Sequence, residues 1–331
     1  MSDKIYNILY LERNSASGFS IHKVFKPIIA KIPGCIVKEA PSYRATFSGI
    51  CKNLLWIFVN LRHYKGIIHM TGGPHYFLIP LFGKKTILTI HDLVLLKRSN
   101  GIKHALYKIL WFRIPICLAK RITCISNTVK KELLNEFKIP ENKLHVIYNA
   151  VDDSFKYTPQ PFNEKCPRIL HIGTYWNKNI DRVIEAIEGI SCKLVIIGKI
   201  NDDTKKNLIT HNINFINKIN LSDNELIKEY ELSDIVSFPS IFEGFGMPII
   251  EGQAIGRPVV TSNIMPMTEV ANETACLVNP YDTDSIRNGF MRIIKDEEYR
   301  NRLIEQGLDN VKRFSSEKIL KEYQKIYNTL L

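Results

Sequence analysis

The stretch 238–263, FPSIFEGFGMPIIEGQAIGRPVVTSN, leaves the backbone few choices. Residues 235–238, Ile-Val-Ser-Phe, are a short apolar run of the kind a buried strand needs. Gly244 and Gly246 follow in a loop. Pro248 suits the first turn of a helix, where its missing N–H costs nothing. Gly256 stands where a left-handed residue ends a helix, and Val259-Val260-Thr261 is a second apolar β-run. The unit reads strand, glycine loop, helix, strand. Such a loop sets bare backbone N–H groups beside a helix N-terminus, which suits a phosphate. Two carboxylates, Glu243 and Glu251, frame it. Beside a diphosphate a carboxylate serves better as an acceptor for sugar hydroxyls. An ordinary βαβ turn, with Glu243 solvated and Glu251 on an exposed helix face, also accounts for the glycine pair taken alone.

The longer string is more specific. FPS-x-x-EGFGMPIIE-x-x-A-x-GRPVV resembles, over about 25 positions at fixed spacing, the E-x7-E region of retaining family 4-type glycosyltransferases, the group 1 glycosyl transferases. The resemblance implies the GT-B fold: an α/β chain of two Rossmann-like β/α/β domains facing across a cleft. It also implies that Glu251 holds the ribose of a nucleotide-sugar and that Glu243 lies beside the donor sugar. The backbone of Gly244, Phe245, Gly246 and Met247 then faces the sugar and its diphosphate.

A chain of 331 residues suits two domains of ordinary size. No apolar run reaches the roughly 18 residues of a membrane-spanning helix, and the N-terminus has no signal-peptide pattern. Seven scattered cysteines without a C-x-x-C pair fit free thiols in a reducing cytosol, and argue against a structural zinc or a disulfide framework. Charge is divided unevenly. Residues 1–156 hold 24 Lys and Arg against 9 Asp and Glu, whereas residues 157–331 hold 21 against 24. A basic half beside a near-neutral half points to a polyanionic partner, and plain solubility is the bland alternative. The absence of zinc-finger spacing, RNP-like aromatics or a basic-region zipper argues against nucleic acid, which stays as a rival resting on the basic half alone.

Along the first half, residues 5–10 read as a strand, followed by a small-residue loop with Gly18 and a helix over 21–32. That loop lacks G-x-G-x-x-G, which weakens a dinucleotide-dehydrogenase reading. Residues 54–61 read as a helix and 66–69 as a strand. Gly72 and Gly73 leave that strand's end, where an open α/β sheet places ligands, and a plain turn explains them equally. Residues 86–90 are a strongly β-favouring run that delivers His91 and Asp92. A histidine there is often a satisfied core residue, but TILTIHDL resembles the family's segment before its sugar site. The resemblance implies that His91 touches the donor sugar and that Asp92 orients the loop. Gly18, Gly72, Gly73 and Asp92 become its acceptor-side residues. Segment 98–121 interleaves bases with Tyr107, Trp111 and Phe112, which suits an anionic headgroup layer or a core helix with a solvated basic face.

The proline-rich segment 159–167 reads as a linker. The expected domains are 1–157, joined by a terminal helix at about 316–331 that packs back on it, and 165–315, the nucleotide-sugar domain. In the latter, Gly173, Thr174, Lys178 and Asn179 match the family's phosphate loop. Lys178 is the cation on the diphosphate, and Thr174 stands where an Arg is usual. Gly198 and Lys199 border the nucleobase. His91, Glu243 and Lys178 are the expected catalytic residues. The whole implies a cytoplasmic glycosyltransferase, peripheral on the inner face of the membrane. It takes a nucleotide-diphosphate sugar to a glycan or polyprenyl-pyrophosphate-linked acceptor, as in O-antigen or capsule synthesis. Lacking a D-x-D motif, it is expected to need no metal or other cofactor. A sugar-nucleotide epimerase of the same fold and a non-catalytic nucleotide-sugar-binding module are the other rivals.

Overall fold

The computed structural model describes residues 7–17, 20–44 and 46–331. The chain divides into two compact units. The first runs to Asp152 and is completed by Ser316–Leu331, and the second is Asp153–Ser315. Among the described residues each unit holds one six-stranded parallel sheet.

The strands of the first unit are β1 (Ile8–Glu12), β2 (Ile36–Glu39), β3 (Ile67–Met70), β4 (Thr86–Ile90), β5 (Arg121–Cys124) and β6 (Leu144–Val146). They lie in the order β2-β1-β3-β4-β5-β6, with Leu9 opposite Ile68 and Leu11 opposite Met70. Every residue of β1, β3 and β4 is buried, as expected of parallel strands covered on both faces. The helix Ser316–Asn328 belongs to this unit. Tyr327 from that helix shares a 2.7 Å hydroxyl hydrogen bond with Tyr10 and lies 2.9 Å from His69 Nδ1, while Tyr323 packs on Phe25. Burial pushes the His69 pKa down to about 3, so the ring is neutral and bridges Tyr327 to Thr89.

Segment 98–121 is not one helix. It is helical over Gly101–Leu106, widens to π-helical turns over Tyr107–Arg113, and resumes at Ile114–Leu118. Pro115 cannot donate a backbone hydrogen bond, and the wider turns immediately precede it.

The second unit contains β7 (Arg168–Ile172), β8 (Lys193–Ile197), β9 (Phe215–Lys218), β10 (Ile235–Phe238), β11 (Val259–Ser262) and β12 (Cys276–Val278). Their order is β12-β11-β10-β7-β8-β9. Successive strands therefore step outward one way from β7 and the other way from β10. Between β7 and β10 the direction of winding reverses, and the loops leaving such a pair separate to form a crevice at the strands' C-terminal ends. In the first unit the same reversal falls between β1 and β3.

Candidate active site

In the second unit two loops meet at that reversal. Residues 173–179 follow β7 and residues 239–246 follow β10. They are clipped together by backbone and side chain: Ile241 N–H donates to Asn177 O at 2.9 Å, and the Asn177 amide donates to Phe242 O at 2.9 Å and to Glu243 Oε1 at 3.2 Å. Asn179 adds a second tie. Its buried amide donates to Pro239 O at 3.0 Å and to Pro280 O at 2.6 Å.

Lys178 lies within this clip. Its Nζ is 2.6 Å from Glu243 Oε1 and stands over the Phe238 ring, 4.7 Å from the centroid. The lysine stem runs across Gly173, where an added Cβ would come within 2.9 Å of Lys178 Cγ, and Gly173 has φ +91°. Both facts demand glycine there. Gly246 is similar, with φ +125° and a Cβ position 3.0 Å from Ile249 Cδ1. It precedes the helix Met247–Ile255, whose N-terminus carries no side-chain cap and has Pro248 in its first turn. Below Lys178 sits buried His171, 3.2 Å from Ser237 Oγ. Burial first, and Lys178 second, hold its pKa down to about 3, so the ring adds no charge.

Glu251 lies on that helix and accepts a 2.5 Å hydrogen bond from the Tyr230 hydroxyl. Tyr230 is fully buried with Phe155 edge-on against it. Burial, reinforced by Glu251, raises its pKa well above the ordinary range, so the phenol remains a donor. One Glu251 oxygen is thereby fixed by the protein. Thr174 Oγ1 donates to Lys199 O at 2.7 Å and ties the exit of β7 to that of β8, where Gly198 sits with φ +128°. Arg182 donates to Asn179 Oδ1 at 2.9 Å, so its guanidinium is already engaged with the loop. Gly173, Thr174, Lys178, Asn179, Gly198, Glu243–Met247 and Glu251 thus share the C-terminal edge of one sheet. Lys178, expected on a diphosphate, and Glu243, expected beside a sugar, are paired with each other here.

The first unit has its own hollow. A cavity of about 390 Å³ is lined by Arg13, Arg44, Tyr76, His91, Tyr107 and Trp111, with Gly73 and Asp92 also on its wall. His91 Nε2 donates to Thr71 O at 2.7 Å. Burial lowers its pKa, opposed by that carbonyl, so the ring is neutral with Nδ1 as its acceptor. Asp92 Oδ1 accepts from Val94 N–H at 2.9 Å and starts the short helix Val94–Lys97. Gly18 lies outside the described residues. Sequence reasoning missed Asn177 and Tyr230; Asn177 adjoins Lys178 in the sequence, whereas Tyr230 adjoins no named residue, its partner Glu251 being 21 residues away. Among the described residues, no group of three or more His, Cys, Asp or Glu is placed to hold a metal ion.

Two family models match consecutive parts of the chain. One described as Glycosyltransferase Family 4 covers residues 43–155, and one described as Glycosyl transferases group 1 covers residues 154–309. Among curated relatives, an uncharacterised glycosyltransferase of Methanocaldococcus jannaschii, MJ1178, is 29% identical over 256 residues, 74% of this chain and 68% of its own. The O-antigen chain mannosyltransferase RfbU of Salmonella typhimurium is 28% identical over 247 residues, 71% of this chain and 69% of its own. The capsular polysaccharide biosynthesis glycosyltransferase CapM of Staphylococcus aureus is 28% identical over 262 residues, 71% and 68%. Among solved structures, a glycosyltransferase from Rickettsia africae superposes with TM-score 0.76 at 21% identity, covering 98% of both chains. Anabaena HepE, solved with UDP and glucose, superposes with TM-score 0.78 at 13% identity, covering 98% of this chain and 100% of its own. The chain belongs to the family 4-type glycosyltransferases of GT-B fold, built on two Rossmann-like domains.

Proposed function

We propose that this glycosyltransferase moves a sugar from a nucleotide-diphosphate donor, with retention of configuration, to a glycan or polyprenyl-pyrophosphate-linked glycan during cell-surface polysaccharide synthesis. The observation that carries the donor side is the convergence of Lys178, Glu243 and the Gly246 helix start where the second sheet reverses. Breaking the glycosidic bond to a diphosphate builds negative charge on the leaving phosphate. Lys178 and the dipole of the helix Met247–Ile255 favour that charge as it develops. Glu251, steadied by Tyr230, accepts from ribose hydroxyls, and Glu243 accepts from the sugar. In the first unit, neutral His91 offers Nδ1 as acceptor to a sugar hydroxyl. These groups supply the needed charge without a divalent ion.

The acceptor belongs to the aromatic cavity of the first unit. Tyr43, Tyr76, Tyr107 and Trp111 offer faces on which sugar rings stack, and Arg13 and Arg44 offer guanidiniums to phosphate. The names of RfbU and CapM supply the polysaccharide context. The exposed surface near the cavity supports a lipid-borne acceptor at the cytoplasmic membrane face. No acid occurs between Glu39 and Asp92, a span with Arg44, Lys52, Arg62, Lys65, Lys84 and Lys85. The helix Phe47–Leu61 exposes Phe47, Leu55, Phe58 and Val59, and Ile102 and Leu106 are exposed on the helix Gly101–Leu106. Apolar side chains among bases suit adsorption to anionic lipid, while no helix among the described residues is long and apolar enough to cross a membrane.

The test is a thermal-shift screen of UDP-, GDP-, ADP- and dTDP-sugars, with and without EDTA. The best donor is then incubated alone and with a lipid-linked acceptor. One donor class is expected to raise Tm in both buffers, with the sugar unchanged until acceptor is added. No shift from any of the four removes the donor assignment, and conversion of the sugar without acceptor replaces transfer by epimerisation.

A further inference from the structure

Lys178 and Glu243 pose a problem that the donor reading leaves open. A lysine meant for a diphosphate should present its charge to the crevice. Instead Nζ sits 2.6 Å from Glu243 Oε1, with the lysine and glutamate side chains only 19% and 14% exposed. The nearby Arg182 is engaged with Asn179 Oδ1 and does not take over the carboxylate. Glu243 itself is anchored from its other side by the Asn177 amide, which also holds the Phe242 carbonyl. The carboxylate is thus the fixed member of the pair, and the four-carbon lysine stem, lying along Gly173, is the movable one.

We propose, resting on the donor reading above, that Glu243 occupies the anion position at Lys178 until an intact nucleotide-sugar arrives, and that the two then exchange partners. Lys178 turns to the diphosphate. The sugar hydroxyls donate to Glu243 and replace the ammonium it has lost. The exchange discriminates by what each ligand returns. A nucleoside diphosphate takes Lys178 away and leaves Glu243 partly buried, unpaired and close to a polyanion. That arrangement is costly because a desolvated charge has lost its counter-ion and gained a like neighbour. An intact donor brings hydroxyls that satisfy the carboxylate. Glu243 therefore penalises the leaving product more than the substrate, and the Lys178–Glu243 pair re-forms as the nucleoside diphosphate departs. Asn177 is a positioning residue, because it keeps the carboxylate in the loop while its partner changes.

The experiment measures dissociation constants of a nucleoside diphosphate and of its sugar conjugate, in whichever of the uridine, guanosine, adenosine or thymidine series shifts the wild-type Tm. Wild type, Glu243→Gln and Glu243→Ala are compared. Removing the charge is expected to tighten the bare nucleoside diphosphate about tenfold while weakening or leaving unchanged the sugar conjugate, so that the preference for the intact donor narrows. Unchanged or weaker binding of the nucleoside diphosphate in both variants overturns the exchange. The unmodified protein gives an independent check, since wild type binding the bare diphosphate as tightly as the sugar conjugate also overturns it. A wild type that binds neither member of any series removes the donor reading itself, a result distinct from either of these.

Discussion

The two units wind their sheets by the same rule and line the resulting crevices differently. In the second unit the reversal between β7 and β10 gathers polar groups that hold one another: Lys178 with Glu243, Asn177 with Phe242, Tyr230 with Glu251. In the first unit the hollow beside β1 and β3 has the rings of Tyr43, Tyr76, Tyr107, Trp111 and Phe112 on its wall, with Arg13 and Arg44 as its cations. Buried, neutral histidines belong to this unit, His69 within β3 and His75 on the cavity wall. On the reading proposed above, the second unit's crevice takes a ligand whose charge is invariant, the diphosphate, and the other takes the acceptor on its ring faces. A scaffold fixes topology, and the residues at the strand ends decide the chemistry.

The comparison is most easily broken at Lys178. If the second unit carries the leaving-group charge, Lys178→Ala lowers turnover by about 10²–10³, the usual cost of one preorganised donor. His91→Ala should lower turnover less and leave nucleoside diphosphate affinity unchanged, because that ring sits in the other unit. Steady-state rates and titration calorimetry on both variants separate the two. Wild-type turnover in Lys178→Ala would end the division of labour proposed here.

Acid provides the next largest difference. The pKa values of His69 and His75 are held at about 3 and about 4, and His91 is lowered too, all by burial first. In the second unit His171, at about 3, is the comparable residue. The unfolded chain takes up these protons near the ordinary histidine value of about 6.5 and the folded chain refuses them, so stability falls as pH drops from there toward 4. Each of His69, His75 and His171 contributes a slope of up to about 1.4 kcal/mol per pH unit, so two against one makes the first unit steeper by about 1.4 kcal/mol per unit, and the lowered His91 and His145 act in the same direction. Glu12 opposes this only near the carboxylate range, since burial raises its pKa. Hydrogen exchange read by mass spectrometry at pH 7 and pH 5 should show the strands of the first unit losing protection before those of the second. Equal loss, or loss in the second unit first, would contradict the assignment.

How far the sequence reaches follows the same division. Fully buried parallel strands are legible because both faces need apolar residues, so β4, β7, β10 and β11 announce themselves as short unbroken runs. The exposed edge strand β2 and the half-buried β9 carry no such run and were not anticipated. Of the strand expected at 5–10, residues 5 and 6 lie outside the described residues; among the described ones the strand is Ile8–Glu12, which runs two residues further into the loop it feeds. Around the donor crevice, Glu243, Gly246 and Glu251 are legible because they occupy one continuous string whose spacing is itself the motif. Tyr230 and Asn177 are not, because each matters only through a partner 21 or 66 residues away, and that proximity exists only after the sheet has formed. The Lys178–Glu243 pair shows the limit from the other side. Both residues were legible, but that they hold each other was not.

The smallest effect concerns the outer surface, where the units also differ. Phe47 is 85% exposed and Ile102 is 82% exposed, and the span that contains Phe47 has bases and no acids. Each Lys or Arg near an anionic bilayer contributes about 1 kcal/mol at moderate salt, and a Phe entering the headgroup boundary adds a comparable amount. Wild-type protein should therefore sediment with phosphatidylglycerol-containing vesicles and much less with pure phosphatidylcholine, and added salt should release it. Phe47→Glu introduces the first acid into that surface and should weaken vesicle binding about tenfold, a change of 1.4 kcal/mol, without altering nucleotide affinity in the second unit. Equal binding to neutral and anionic vesicles would show an apolar contact without charge recognition. Failure to bind either would assign the exposed rings to a protein partner instead, because only a macromolecular neighbour would then remain to cover them.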